Sequence, residues 1–400
     1  MMNSNTTPSA NTNEVFSPSR TVWRTQMAKG TYPPHRMSRI TCIVDNLLAP
    51  KVTKTLAELG IDNYIETGRV VRENIKKRPF NLPGDIVTLQ SSPVSVIRFT
   101  VPRAKAKDVM GAIIYCCDLA TPGHGSIFAQ DLMEFSHDDP TLNLAALDAM
   151  PKNTEVNMLN KLSCITCVLS IPGSGEQLAK IALDLGICVP VLTSGTGNDI
   201  RDQLGLIRIT IPAEKEIVSI VMPEQDSNSI IRLLSEQAKL DKTGRGFIYQ
   251  TPVSIGLMDT RMKMGVQTSA ASIEQIIAAI DSLKGGTNWR RRLDYSDVET
   301  NSSALPQDNC EVTITSDEDR IDALREACLK VGAKGAITTN VIPQINTGEN
   351  THKTMIRSAI NIPATQADSV VNNLLDITSI KTDNTDKICV LDSPAAYRAK

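Results

Sequence analysis

The sequence predicts an α+β protein built from three tandem ferredoxin-like repeats, each with the order βαββαβ. Hydrophobic patterns typical of strands and helices alternate along the 400-residue chain and pass through this order three times. A glycine turn between a helix and a strand occurs twice, at residues 121–128 (TPGHGSIF) and 243–249 (TGRGFIY). Each repeat would form a four-stranded antiparallel sheet with one uncovered face, so three repeats in one chain can associate internally as a pseudo-trimer.

The composition is that of a globular protein. Hydrophobic residues make up 41% of the chain and charged residues 22%, and the net charge is −2. This charge gives no general reason to expect nucleic-acid binding. No apolar run approaches the ~20 residues that span a bilayer, and the N-terminus lacks the apolar core of a signal peptide. We therefore expect a cytoplasmic protein with no membrane insertion and no nucleic-acid partner.

The cysteines favour a reduced protein. There are nine, an odd number, and they are scattered among apolar neighbours, which is typical of buried thiols and not of a disulfide framework. Cys164 and Cys167 have the spacing of a redox or zinc pair, but they lie three residues apart in a predicted strand. That spacing puts the two thiols on opposite faces, so we interpret them as core residues.

Shifts in composition divide the chain into six segments. They are a disordered arm at 1–37, a first repeat at 38–135, a linker at 136–160, a second repeat at 161–265, a helix with a basic linker at 266–308, and a degenerate third repeat at 309–400. The arm is either a free tail or a segment that docks on a partner or another subunit.

The first repeat contains two helical patterns among four strand patterns. The strands are predicted at 39–45, 64–71, 94–101 and 126–132, and the helices at 49–59 and 105–117. Gly60 suits the end of the first helix, and Val109, Ile113 and Cys117 share one face of the second. Residues 72–93 contain prolines and a basic cluster, and we predict a long loop there.

The second and third repeats follow the same order. In the second, strands are predicted at 162–170, 189–193, 216–222 and 247–251, helices at 176–185 and 229–240, and a loop at 194–204. A further helix at 272–283 begins at a capping box and precedes a basic segment at 289–292. In the third, strands are predicted at 310–315, 336–343, 355–362 and 387–391, and helices at 319–331 and 367–375.

The chain resembles the PII nitrogen-regulatory family. The resemblance rests on the repeat order and on two stretches, 96–102 (VIRFTVP) with 121–128, and 218–223 (VSIVMP) with 243–249. It implies a trimer-like arrangement with ATP or ADP in the clefts between repeats. A glycine turn of this form, the B-loop, would cradle phosphates, and a long loop, the T-loop, would reach a protein partner. That partner would be a membrane transporter or an enzyme of nitrogen or carbon metabolism.

The resemblance also implies roles for individual residues. Those expected to bind nucleotide are Gly123, His124 and Gly125 in the first turn, Gly244, Arg245, Gly246 and Phe247 in the second, Gly195 and Gly197 at a T-loop base, Arg261 and Lys263 downstream, and Arg398 and Lys400 at the C-terminus. Asp199 stands where the family has a glutamine that helps to hold magnesium and 2-oxoglutarate. An acid there could still ligand magnesium but would repel a dicarboxylate.

All three turns depart from the family pattern. Ser126 and Phe247 stand where the family has a basic residue, and Arg245 can compensate because a guanidinium holds phosphate bidentately. The third repeat has no glycine at 384–388 (NTDKI). We therefore predict the tightest nucleotide site at the second turn, completed by basic residues from a neighbouring repeat.

No catalytic constellation stands out, so we expect a protein that is not an enzyme. The leading hypothesis is a PII-like signalling protein whose loops are ordered by adenine nucleotide. The alternative is a structural, self-assembling protein that forms homo-oligomers and whose repeats have lost ligand binding. A third, weaker option is slow ATP hydrolysis.

Overall fold

The computed structural model describes thirteen stretches of the chain. They are residues 33–77, 85–137, 142–153, 156, 158–184, 189–198, 214–259, 262–263, 308–330, 336–344, 354–378, 380 and 386–398. The predicted arm apart from residues 33–37, the helix at 272–283, the basic segment at 289–292, and Asp199, Arg261 and Lys400 lie outside them.

Strands dominate the described residues. They are β1 His35–Asp45, β2 Asn63–Lys77, β3 Asp85–Pro102, β4 Gly125–Phe135, β5 Leu159–Leu169, β6 Val191–Asn198, β7 Glu214–Pro223, β8 Gly246–Leu257, β9 Met262–Lys263, β10 Asn309–Asp317, β11 Ala336–Gln344, β12 Met355–Pro363, β13 Lys387–Ser393 and β14 Ala395–Arg398. The α-helices are α1 Ala49–Glu58, α2 Ala106–Cys117, α3 Leu144–Ala149, α4 Ser174–Asp184, α5 Ser227–Gln237, α6 Glu318–Lys330 and α7 Ala367–Ile377.

The predicted fold class, three tandem ferredoxin-like repeats, is wrong. The described strands form one continuous 14-stranded sheet, ordered β14-β8-β5-β7-β6-β11-β12-β10-β13-β4-β1-β3-β2-β9. Further pairings of β8 with β4, and of β2 with both β6 and β11, close this sheet on itself as an antiparallel barrel. Local hydrophobic patterns indicate where strands lie, but they do not show that the edge strands pair with one another.

The two faces of the closed sheet have different surroundings. Along β1, Ile40, Cys42 and Val44 pack with α1 and α2 in a buried apolar cluster. The alternate residues Arg39 and Thr41 line a cavity inside the sheet. Because successive strand residues point to opposite faces, one strand supplies both the aliphatic outer core and the polar interior.

The prediction of a long loop at 72–93 is also wrong. Strands β2 and β3 pair continuously from Tyr64 opposite Arg98 to Lys77 opposite Asp85, and only residues 78–84 of the predicted loop lie outside the described residues. Pro93 is tolerated in β3 because it lies just past the last pairing with β1, where no ladder bond to β1 is lost. Strand β6 likewise extends through part of the loop predicted at 194–204.

The cysteines follow the expectation of free thiols. All eight described cysteines are free, and all but Cys116 are buried. Cys167 packs in the helix-covered core, whereas Cys164 faces the interior cavity, so the pair lies on opposite faces of β5. Burial raises the pKa of Cys164 to about 11. Within the described residues, no helix has the length and apolarity needed to cross a membrane.

Candidate functional site

The second glycine turn connects α5 to β8. The backbone N–H of Arg245 donates to the Lys242 carbonyl at 3.2 Å, and the Arg245 carbonyl accepts from Ser170 N–H at 3.0 Å. Gly244 has φ +83° and Gly246 has φ +134°, a conformation that side chains other than hydrogen rarely adopt. A Cβ on Gly246 would also lie 1.8 Å from the Val168 carbonyl oxygen, so the turn requires glycine there.

The first glycine turn, between α2 and β4, has the same backbone conformation. Gly123 has φ +92° and Gly125 has φ +146°, and the backbone N–H of His124 donates to the Thr121 carbonyl at 3.2 Å. The side chain of His124 is already engaged, because its Nδ1 lies 2.8 Å from the carbonyl oxygen of Asp118. It is therefore held against its own turn and not turned toward a ligand.

An internal carboxylate occupies the first turn. The N–H of Gly123 donates to Asp259 Oδ1 at 2.7 Å. The other oxygen of Asp259 pairs with the guanidinium of Arg72, and both side chains are almost fully buried. The backbone N–H of Asp259 in turn donates to Ser126 Oγ at 3.1 Å. This turn therefore accepts an anion, and that anion belongs to the protein itself.

The second turn differs from the first at this point. Within the described residues the N–H of Gly244, which corresponds to that of Gly123, has no hydrogen-bond partner. The guanidinium of Arg245 is half-buried and makes no ion pair with any described residue. Two donors, one backbone and one cationic, are thus available at a turn whose counterpart binds a carboxylate.

The C-terminal strand lies beside the second turn. Strand β14 pairs antiparallel with the beginning of β8, with Tyr397 opposite Ile248 and Arg398 opposite Phe247. The ring of Phe247 stacks on that of Tyr249 with centroids 5.9 Å apart. The backbone of Arg398 is therefore brought to the end of the turn, and this strand was absent from the sequence-based prediction.

The third helix-to-strand connection also contains an internal acid. Asp386 precedes β13 and is fully buried. Its carboxylate accepts from Ser316 Oγ at 2.5 Å and lies 3.2 Å from Arg320 Nη1. The connection that lacks glycine at 384–388 thus has a buried carboxylate whose partners are side chains of the protein itself.

The two glycines predicted at the T-loop base lie away from the second turn. Gly195 and Gly197 sit within β6, and a Cβ on Gly195 would lie 2.9 Å from the Thr338 carbonyl oxygen of β11. Gly246, Leu169, Glu216 and Ser194 stand opposite one another across β8, β5, β7 and β6. The glycine pair is thus three strands from the turn, about 14 Å along the sheet.

Lys263 is placed near the first turn and not the second. The short strand β9 runs parallel to β2, with Lys263 opposite Asn74, two residues along β2 from Arg72. Strand β9 and Asp259, whose side chain pairs with Arg72, therefore both lie beside β2. The resemblance assigned Arg261 and Lys263 to the second turn's ligand; the backbone of Lys263 lies on β9 beside β2, and Arg261 lies outside the described residues.

Sequence reasoning missed Asp259 and Arg72. Asp259 follows β8 at the point where that strand leaves its pairing with β5 and meets β4. In the sequence Asp259 stands just before Arg261 and Lys263, the basic residues to which a role was assigned. Arg72 was assigned to a loop, where an arginine is ordinarily solvated. Its burial depends on β2 continuing through that region, which the prolines of the segment obscured.

No protein-family model matches this sequence, and no curated protein matches it. Solved structures give weak likenesses. A GlnK–ATP complex from B. subtilis is 13% identical, with a TM-score of 0.22 over 26% of this chain and 89% of that chain. A further B. subtilis GlnK structure is 15% identical, with a TM-score of 0.21 over 28% and 98%. An aspartate kinase from Synechocystis is 11% identical, with a TM-score of 0.16 over 90% and 52%. TM-scores this low carry no argument about function.

Proposed function

We propose that the chain is a PII-like signalling protein that binds an adenine nucleotide, ATP or ADP, through its phosphates at the second turn. The observation that supports this most directly is the contrast between the two glycine turns. The first turn holds a carboxylate through Gly123 N–H, whereas the matching N–H of Gly244 has no partner among the described residues. A phosphate oxygen would accept there as the carboxylate does at the first turn.

Charge supports the same placement. Arg245 adds a guanidinium to the turn, and the backbone of the C-terminal strand passes opposite Phe247. Arg398 and Lys400 are the further cations that the resemblance assigns to the polyphosphate. The first turn offers no such excess, because Arg72 is neutralised by Asp259. One nucleotide per chain is therefore the expected stoichiometry.

The proposed role is regulatory and not catalytic. Binding would order the segments next to the turn, and those segments would then dock on a membrane transporter or a metabolic enzyme. This part of the proposal rests on the resemblance of the sequence. The alternative of a self-assembling protein depended on uncovered sheet faces and on the N-terminal arm, which lies outside the described residues apart from residues 33–37. In the structure, helices pack against the outer face, and the inner face holds buried side chains around a small cavity.

Calorimetry with ATP, ADP and AMP tests the proposal. Arg245→Ala should weaken ATP binding by roughly 1.5–3 kcal/mol, the size of a charged hydrogen bond, and should leave AMP binding nearly unchanged. Arg232→Ala is the matched control, since it removes the same charge from an exposed position on α5 and should change neither. Absence of binding at millimolar ATP, or ATP affinity in Arg245→Ala equal to that of the parent, would show the proposal to be wrong.

A further inference from the structure

The closed sheet encloses a cavity of about 60 Å³ that contains three arginines. Arg39 of β1, Arg98 of β3 and Arg357 of β12 all line it. At the ~15 Å³ that one water molecule needs by the same measure, the cavity has room for about four. It is separate from the second turn and takes no part in the proposed nucleotide site.

Two buried carboxylates neutralise only part of the arginine charge. Arg39 Nη1 lies 2.8 Å from Glu311 Oε1. Glu66 is shared, since its Oε2 pairs with Arg98 and also lies 3.4 Å from Arg357 Nη2. Three guanidinium groups therefore face two carboxylates, and one positive charge is left in excess inside the sheet. A buried charge without a counter-charge is strongly destabilising.

Arg357 is the least well compensated of the three. Its Nε is buried and has no hydrogen-bond partner within the described part of the chain, and its side chain is 15% exposed. Burial, together with repulsion from Arg98, lowers the pKa of Arg357 to about 10. The guanidinium thus remains charged at neutral pH in surroundings that disfavour the charge.

The neighbouring charges do not remove the excess. Lys387 Nζ lies 3.5 Å from Glu134 Oε1, and the charge of Asp62 also acts on Lys387. Neither Glu134 nor Asp62 lines the cavity. Hydroxyl groups of Thr41, Thr166 and Ser219 also line the cavity. Hydroxyls can donate to an anion as readily as they accept from a water molecule, so the neutral lining is compatible with negative charge.

We propose that the cavity binds one small monovalent inorganic anion, of the size of chloride, among Arg39, Arg98 and Arg357. One negative charge balances the excess. The cavity volume admits a halide and excludes a large organic anion. The guanidinium of Arg357, which lines the cavity and shares its one carboxylate with Arg98, supplies a charge-assisted donor. Because the anion would bind the folded chain and not the unfolded one, it would stabilise the fold by mass action.

Thermal unfolding at constant ionic strength tests this site, with sodium chloride replacing sodium gluconate. The midpoint should rise by about 2–4 °C between 10 and 500 mM chloride and then level off. Arg357→Met removes the excess charge and should abolish the response. Arg103→Met is the control, because Arg103 is 61% exposed and does not line the cavity, and it should respond like the parent.

Bromide diffraction provides a second measurement that needs no variant. Crystals soaked in sodium bromide should show an anomalous peak among the three arginines. Equal unfolding midpoints in chloride and gluconate, or a chloride response that persists in Arg357→Met, would overturn the proposal. If Arg357→Met fails to fold, an empty or water-filled cavity in the bromide crystals would overturn it instead.

Discussion

The Arg72–Asp259 pair should be one of the most sensitive points of the fold. The two side chains are 8% and 2% exposed, and Asp259 also accepts the Gly123 N–H. Asp259→Ala would leave Arg72 as a buried cation with no carboxylate, and removing one member of a buried pair costs about 3–5 kcal/mol. Asp259→Asn should cost less, because the amide oxygen can still accept from Gly123 while only the charge is lost.

Urea unfolding followed by far-UV circular dichroism gives the free energies. A double variant, Arg72→Met with Asp259→Ala, should be more stable than Asp259→Ala alone, since it removes the uncompensated charge. Glu176→Ala is the control. Its pair with Arg69 has side chains 53% and 41% exposed, so the loss should be within about 1 kcal/mol. An unfolding free energy of Asp259→Ala within about 1 kcal/mol of the parent would show that the pair does not stabilise the first turn.

Two further predictions concern titratable groups. Burial would raise the pKa of Glu66 and Glu311, but the facing arginines outweigh it and hold both below 4.5. The stability these carboxylates contribute is complete above about pH 4.5 and is lost as pH falls through their folded values. Glu66→Gln should flatten the decline in unfolding free energy between pH 5 and 3, and an unchanged slope would contradict this. Ellman's reagent should react quickly with exposed Cys116 and not with buried Cys164. Cys116→Ser should remove one fast equivalent, and an unchanged fast phase would count against this assignment.

The sequence predicted individual elements well because each depends on local patterns. The helix predicted at 105–117 is found at Ala106–Cys117, and the strand predicted at 355–362 is found at Met355–Pro363. What failed was long-range pairing. Nothing in the local pattern of β4 shows that it pairs with β8 and β13 as well as with β1. Those pairings convert separate predicted sheets into one closed sheet.

The buried charges were the least predictable feature. Arg39 alternates with Ile40 in a strand pattern, and an arginine at such a position ordinarily faces solvent. Its side chain is only 11% exposed because the sheet closes, so that the inner face has little access to bulk water. Its partner Glu311 is 272 residues away in the chain. A pair at that separation has no signature in a single sequence.

The same closure explains why the two glycine turns can have different occupants. Each turn is approached by a segment that follows a strand from elsewhere in the chain. The segment after β8 brings Asp259 to the first turn, and β14 reaches the second. The segment after β4 places His137 Nδ1 3.1 Å from the Ile380 carbonyl oxygen near the third connection.

In an assembly of identical subunits these approaching segments would be the same. In one polypeptide each segment has its own sequence, so an acid can satisfy one turn while a strand that ends in Arg398 borders another. The ligand that each turn binds therefore depends on the segment that lies beside it. Separate substitutions of Asp259 and Arg245 test this dependence.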